Sequence, residues 1–149
     1  MSVLSGDHIF FCTQLSKKEE VIDLLAREAA ALGISDDAGD LTAAFMEREA
    51  MGPTGIGEGI AVPHAKSTSV HEVAVMIVKS DTPIAWESFD DAPVYLAIAL
   101  LVPQENPDNV HLQILSTVTR KLVKEDFKQS LFAAETAGQI MELFKELNI

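Results

Sequence analysis

Two long apolar runs constrain the fold of this chain more than any other feature. Residues 73–78 (VAVMIV) and 94–102 (VYLAIALLV) contain no charged side chain and show no alternation of apolar and polar positions. Strands that are covered on both faces have this pattern, whereas strands with one solvated face alternate. We therefore predict that both runs lie at the centre of a sheet with helices packed on each side.

Helical patterns lie on both sides of these runs in the chain. Ser16 and Glu19 have the Ser-x-x-Glu spacing of a capping box, which predicts a helix that Gly33 ends. A second helical pattern runs from Leu41 up to Gly52, where the following proline breaks it. Shorter strands are predicted at residues 8–12, 60–62 and 84–86.

Three more helices are predicted after the second apolar run. Asn106 followed by Pro107 indicates an N-cap with proline in the first turn. Phe127 marks the next helix, and Thr136 opens the last one as a capping box. The side chains expected on the buried face of the first of these helices are Leu112, Leu115, Val118 and Leu122.

The order of these elements predicts an α/β fold. Helices before, between and after the strands favour a mixed β-sheet flanked by helices on both faces, a three-layer α/β/α sandwich. The chain has 149 residues, no repeat and no linker-like segment, so we expect residues 1–149 to form a single domain.

The composition excludes several classes of function. A formal net charge of −12 argues against binding nucleic acid or anionic membranes, which needs a basic surface. Cys12 is the only cysteine, so no internal disulfide forms and no thiolate cluster holds a metal. No apolar stretch reaches the ~20 residues that span a bilayer, and no secretory signal is present. We expect a cytoplasmic protein that does not insert into the membrane.

The most unusual segment of the chain is residues 55–66, which combine three glycines, a proline and His64. A dinucleotide-binding loop follows a strand and opens a helix, whereas this segment follows a helix and opens a strand. The Walker pattern is absent as well. We therefore interpret the glycines as a close-packed turn that places His64 at the end of a short strand.

Two other polar residues occupy positions that predict an inward orientation. Arg48 shares a helical stripe with Leu41 and Phe45, and His111 stands four residues before Leu115. Taken singly, each could be a core residue that a backbone carbonyl satisfies. Together with His64 they form a set suited to holding a phosphoryl group, because its transfer requires positioning and charge stabilisation. A metal site or a hydrolase remains an alternative, although the characteristic spacings for both are missing.

At these residues the sequence resembles the enzyme IIA domain, type 2, of the fructose–mannitol family of the bacterial phosphoenolpyruvate-dependent sugar phosphotransferase system. The matching motifs are Arg48-Glu49, the glycine turn that starts at Thr54, the run from Ile60 to Pro63-His64, and the segment that begins at His111. The similarity covers nearly the whole chain.

The resemblance implies that His64 accepts a phosphoryl group from phospho-HPr and passes it to a cysteine of a IIB component. A membrane IIC component then takes up the sugar, which is fructose or a related compound. His111 and Arg48 would support the phosphoryl group, no cofactor or metal would take part, and Cys12 would not be the IIB acceptor. We expect the partners to bind an apolar patch around His64 and residues 55–59.

A sister branch of this family, the nitrogen-type regulatory IIA proteins, shares the Pro-His motif and controls other proteins through its phosphorylation state. This regulatory function is the second hypothesis. Ala65 after His64 favours the fructose type, because regulatory members more often have glycine there.

Overall fold

A six-stranded mixed sheet forms the middle layer of the fold in the computed structural model, which describes residues 3–12, 14–106 and 109–147. The strands are β1 (Ile9–Cys12), β2 (Gly55–Gly57), β3 (Ile60–Ala61), β4 (His64–Ser67), β5 (Ala74–Ile84) and β6 (Val94–Pro103). They are arranged in the order β1-β5-β6-β3-β2, and β4 pairs with β6 beyond the end of β3. β6 is antiparallel to β5 and parallel to β3 and β4, while β1 is parallel to β5.

Helices cover both faces of this sheet. They are α1 (Lys18–Ala31), α2 (Ala38–Met51), α3 (Val110–Leu122), α4 (Glu125–Ala133) and α5 (Ala137–Lys145), and a 3₁₀ turn at Gly6–His8 precedes β1. One apolar core joins α1 and α2 to one face of the sheet, and a second core joins α3, α4 and α5 to the other face. The predicted three-layer α/β/α sandwich is confirmed. Within the described ranges, no helix has the length and apolarity to cross a membrane.

The two central strands contain the predicted apolar runs, and β5 continues beyond its run through Lys79 to Ile84. Along β5, Met76 packs in the core under α1 and α2, whereas its neighbour Ile77 packs in the core on the opposite face. Side chains alternate across a strand, so a strand buried on both faces needs apolar residues at every position. The predicted separate strand at residues 84–86 is wrong, because Ile84 is the last residue of β5 and pairs with Val94 after a shift in register.

The starts of two helices differ from the sequence prediction. In α1 the capping carboxylate belongs to Glu20 and not to Glu19, because Glu20 Oε1 accepts hydrogen bonds from the backbone N–H groups of Ser16 and Lys17 at 2.9 and 3.0 Å. α3 begins at Val110, after Asn109 with φ of 50°, so Asn106 is not its N-cap. Pro107 and Asp108, which were part of that prediction, lie outside the described residues.

The later start of α3 accompanies a different buried face. Ile114, Val118 and Leu122 are buried, whereas 53% of Leu112 is exposed. Ile114 and Leu122 each lie four residues from Val118 and therefore share its side of the helix, while Leu112, six residues away, falls on the other side. The prediction that Leu112 is buried is wrong for this reason.

The glycine turn is a tight hairpin between β2 and β3. Gly55 passes so close to a neighbouring loop that a Cβ atom there would lie 2.5 Å from the carbonyl oxygen of Glu87. At the tip of the hairpin, Glu58 and Gly59 have φ of 58° and 83°. Two successive residues with positive φ are typical of the short turns that join antiparallel strands. The hairpin places β3 against β6 and directs the chain into β4.

Candidate functional site

His64 lies at the point where two short strands follow one another along β6. β3 ends at Ala61, the carbonyl oxygen of Pro63 accepts a hydrogen bond from Leu100 N at 2.9 Å, and β4 begins at His64. His64 therefore opens a strand and does not end one, in contrast to the sequence interpretation. Proline suits the break between the two strands because its φ is restricted and it donates no ladder hydrogen bond.

The three site residues predicted from the sequence meet at one cavity at this edge of the sheet. The cavity has a volume of about 350 Å³. α2 contributes Arg48, β4 contributes His64 and α3 contributes His111. The other residues that line it are Ala44, Glu47, Met51, Ala65, Lys66, Val102 and Gln104. Three elements that are distant in sequence thus present two imidazoles and a guanidinium to one space.

The ring of His64 has one buried nitrogen. Nδ1 is inaccessible to solvent and makes no hydrogen bond within the described part of the chain. Burial lowers the pKa of His64 below its usual value; the positive charge of Arg48 and, when it is protonated, that of His111 act in the same direction, although the Val62 backbone opposes them. The ring is therefore held neutral at neutral pH, with a lone pair on one nitrogen.

Arg48 lies in the last turn of α2. Its Nη1 donates a hydrogen bond to the carbonyl oxygen of Gly52 at 3.0 Å, just beyond the end of the helix. This bond satisfies a carbonyl at the C-terminus of α2 and restrains the guanidinium. No second hydrogen bond to the guanidinium is found in the described residues, so four of its five N–H donors remain for a ligand.

His111 lies in the first turn of α3, and Asn106 orients its ring. The Asn106 side-chain nitrogen lies 2.6 Å from His111 Nδ1. With this amide as the donor, Nδ1 is the acceptor and Nε2 carries the hydrogen of the neutral ring. Burial, followed by the positive charge of Lys66, lowers the pKa of His111. His111 is therefore prepared to donate one hydrogen bond from Nε2.

Glu49, the neighbour of Arg48, is buried on the other side of α2 and is only 8% exposed. Its Oε1 accepts a hydrogen bond from the Thr54 hydroxyl, which in turn accepts one from Trp86 Nε1 at 3.3 Å. These bonds connect the end of α2 to the start of the hairpin. Adjacent residues on a helix diverge by about 100°, which is why Glu49 faces the hairpin while Arg48 faces the cavity. Trp86 is thus both a buried residue and a hydrogen-bond donor.

The other two histidines and the cysteine lie elsewhere. His8 Nδ1 contacts the carbonyl oxygen of Val75 at 2.9 Å, and His71 Nε2 contacts Asp36 at 2.8 Å on the surface. Cys12 is partly buried in β1, and burial raises the pKa of its thiol. Across residues 3–12, 14–106 and 109–147, no three His, Cys, Asp or Glu side chains are grouped closely enough to hold a metal ion.

Sequence reasoning missed part of the cavity and misplaced another part of the site. Lys66 and Met51 line the cavity but were not predicted as site residues, although the position of Lys66 two residues after His64 on a strand was a usable signal. Residues 55–59, which we expected beside His64, do not line it. Ile60 pairs with Leu96 and His64 with Leu100, so the turn is displaced by four residues, about 13 Å, along β6.

Comparison with known proteins identifies the family of the chain. A family model described as "Phosphoenolpyruvate-dependent sugar phosphotransferase system, EIIA 2" matches residues 2–147. The chain belongs to this family. Members of the EIIA family carry phosphoryl groups, which is the chemistry that the residues around the cavity suit.

Two relatives that are similar over most of their length have names that describe different functions. The chain is 35% identical over 130 residues to the "PTS system fructose-specific EIIA component" of Haloferax volcanii, covering 87% of this chain and 84% of that protein. It is 37% identical over 137 residues to the "Nitrogen regulatory protein" of Klebsiella oxytoca, covering 91% and 81%. The chain spans only 17–21% of the length of several larger relatives.

Two solved structures share the fold. The nitrogen regulatory protein IIA-Ntr of Neisseria meningitidis superposes with a TM-score of 0.87 at 25% identity, covering 95% of each chain. Enzyme IIAMTL of Escherichia coli, solved in complex with phosphorylated enzyme IIBMTL, superposes with a TM-score of 0.80 at 23% identity, covering 96% of this chain and 97% of that one.

Proposed function

We propose that this chain is a cytoplasmic phosphocarrier that accepts a phosphoryl group from phospho-HPr on His64. It then transfers the group to a cysteine of a IIB component. This transfer serves the uptake of fructose or a related sugar through a membrane IIC component. The observation that carries the proposal is the convergence of His64, His111 and Arg48 on one cavity. The fructose-specific relative and the IIA–IIB complex among the similar structures support the choice of sugar and of acceptor.

His64 is suited to act as the nucleophile through Nε2. Nδ1 is buried, so Nε2 is the ring nitrogen that a donor protein can approach. In the first step, the Nε2 lone pair forms a bond to phosphorus while the bond between phosphorus and the donor imidazole breaks. The donor nitrogen keeps that electron pair. In the second step, a cysteine thiolate of the acceptor forms a bond to phosphorus while the bond between phosphorus and Nε2 breaks.

His111 and Arg48 are proposed to support the phosphoryl group without being modified. A phosphoryl group in transfer spreads negative charge over its oxygens, and fixed donors stabilise that charge without reorganisation. The His111 ring is held by Asn106 and the Arg48 guanidinium by Gly52. Both are therefore restrained before the phosphoryl group arrives, which lowers the entropic cost of binding it.

The surface around the cavity has the apolar character that a transient partner needs. Met51 lines the cavity and is 79% exposed, and the exposed Leu112 follows His111. Apolar contacts exclude water during transfer, while a small interface allows rapid release. We therefore propose that partners dock on Met51 and Leu112. Alanine substitutions at residues 55–59 would test folding instead, since Gly55 has no room for a side chain.

The experiment that tests the proposal is incubation with phosphoenolpyruvate, enzyme I and HPr, followed by intact-mass measurement. We expect one added phosphoryl group that is labile in acid and stable in alkali, and peptide mapping should assign it to His64. The variant His64→Gln should gain none. Modification of a serine, of Cys12 or of His111 in the wild-type chain would refute the assignment.

Regulation is the second candidate function, because a nitrogen regulatory protein is 37% identical over most of the chain. The two functions differ in the fate of the phosphoryl group. A transport component passes it to a IIB cysteine within the time of a sugar-uptake cycle, whereas a regulator retains it. Mixing the phosphorylated chain with a purified fructose IIB domain distinguishes them, since only the transport component transfers the group.

A further inference from the structure

Lys66 shares the cavity and the strand face of His64. Along β4, His64 is half-buried, Ala65 buried, Lys66 exposed and Ser67 buried. Side chains alternate across a strand, so His64 and Lys66 project from the same face, with Cα atoms about 6.6 Å apart. Both side chains line the cavity with Arg48 and His111.

The ammonium group of Lys66 is not committed to another contact. Within the described residues it forms no hydrogen bond and no ion pair; the same holds for Lys124 and Lys145, but of these three lysines only Lys66 lines the cavity at His64. Lys79 donates to the carbonyl oxygens of Phe132 and Ala134, and Lys128 pairs with Glu58 and Glu125. A lysine that is both unpaired and adjacent to two histidines is free to bind an anion there.

The charge of the cavity is suited to one phosphoryl group. Arg48 and Lys66 contribute two positive charges, Glu47 contributes one negative charge, and burial keeps both histidines largely neutral. A phosphoryl group on a side chain carries about −1.5 to −2 charges at neutral pH. Lys66 also lies close enough to His111 to add to the effect of burial in lowering the pKa of that histidine.

We propose that Lys66 is a second cationic ligand of the phosphoryl group on His64, acting with Arg48 to stabilise the phosphorylated form. This inference rests on the proposed function of His64. A flexible lysine binds phosphate as a point charge, whereas arginine binds it as a planar fork. Arg48 thus orients the phosphoryl group, and the flexible Lys66 side chain keeps a positive charge beside the group as it moves.

The inference is tested with phosphoramidate as the donor, because this small molecule removes any effect of protein docking. The phosphoryl group leaves its amide nitrogen, which takes a proton from water and departs as ammonia, and a bond to His64 Nε2 forms. We measure the rate of phosphorylation by intact mass and the rate of hydrolysis of the isolated phosphorylated chain. The variants are Lys66→Gln, Lys66→Arg and His64→Gln. Lys145→Gln, which removes the same charge outside the cavity, is the control.

We expect Lys66→Gln to slow phosphorylation about tenfold and to shorten the lifetime of the phosphorylated form, the loss expected for one charged hydrogen bond. Lys66→Arg should restore most of both rates, and Lys145→Gln should match the wild type. The Lys66 variants should melt at the temperature of the wild type because Lys66 is exposed.

Wild-type rates in Lys66→Gln, combined with no phosphorylation of His64→Gln, would overturn the inference and leave the proposed function intact. Equal slowing by Lys66→Gln and Lys145→Gln would also overturn it, since the effect would then be one of net charge. If His64→Gln is phosphorylated at the wild-type rate, the proposed function itself fails.

Discussion

Two cavities at opposite ends of the sheet differ in what their cations do. The cavity at His64 has a volume of about 350 Å³, whereas a second cavity, lined by Phe11, Lys79, Tyr95 and Phe132 among others, has about 760 Å³. Lys79 pairs with Leu96 and Val75 with Leu100, so Lys79 lies about 13 Å along the sheet from the level of His64.

In the larger cavity the cation has a structural task. Lys79 Nζ donates to the carbonyl oxygens of Phe132 and Ala134 at 2.5 Å each, where α4 ends. A cation at a helix C-terminus satisfies carbonyls that have no partner in the helix. In the smaller cavity, Lys66 and His64 Nδ1 have no such partner among the described residues. Polar groups without a hydrogen-bond partner, and not the volume of the cavity, therefore distinguish the candidate site.

The largest effect on phosphoryl transfer is expected for a substitution of His111, in the smaller cavity. His111→Ala removes the donor that Asn106 holds in place, while His64 remains as the nucleophile. Loss of one preorganised donor to a developing charge commonly costs about a hundredfold in rate. We expect phosphorylation of His64 to continue slowly and transfer to IIB to fall by about that factor in rapid-quench measurements. Wild-type transfer rates with a large loss of thermal stability would instead assign His111 to the core.

A smaller effect is expected for Arg48→Lys. Lysine keeps the charge and can still reach the Gly52 carbonyl, but it lacks the planar fork that binds two phosphoryl oxygens. Transfer should slow about tenfold, corresponding to one charged hydrogen bond, with little change in melting temperature. A transfer rate equal to that of the wild type would contradict the bidentate role of Arg48.

At the other cavity, Lys79→Met should change stability and leave transfer unaffected. The substitution leaves two carbonyl groups at the end of α4 without their donor, which should lower the free energy of unfolding by about 1–2 kcal/mol. Urea denaturation measures this loss, and Lys124→Met, at an exposed lysine with no ion pair in the described residues, is the control. Slower phosphoryl transfer in folded Lys79→Met would break the distinction between the two cavities.

The smallest effect is the contribution of His64 to the pH dependence of stability. The pKa of His64 is lowered in the folded state. Once the pH falls below ~6.5, the ordinary pKa of histidine, the unfolded chain therefore binds more protons than the folded chain. The folded state therefore loses stability through His64 as the pH falls through that window, and not above it. Measured by urea denaturation from pH ~8 to ~5, the stability of the wild type should fall more steeply than that of His64→Gln. His111 is expected to contribute with the same sign and is present in both proteins.

The layers of the fold could be predicted because their signals are local and repeated. The unbroken apolar runs at residues 73–78 and 94–102 indicate burial on both faces, and five helical patterns leave few other arrangements. Helix starts were less predictable. The carboxylates of Glu19 and Glu20 are equally suited to a cap by type, and only the path of the chain before α1 selects Glu20.

The sequence by itself determined which chemical groups are available: the Pro63–His64 motif, an arginine on an apolar helical stripe, and His111 near the start of a helix. Tertiary structure alone decided that Lys66 joins them, that residues 55–59 lie away from them, and that Asn106 orients His111 instead of capping α3. The reason is physical. Residue type and periodicity are properties of short segments, whereas the approach of α2, β4 and α3 depends on how two cores pack against opposite faces of one sheet.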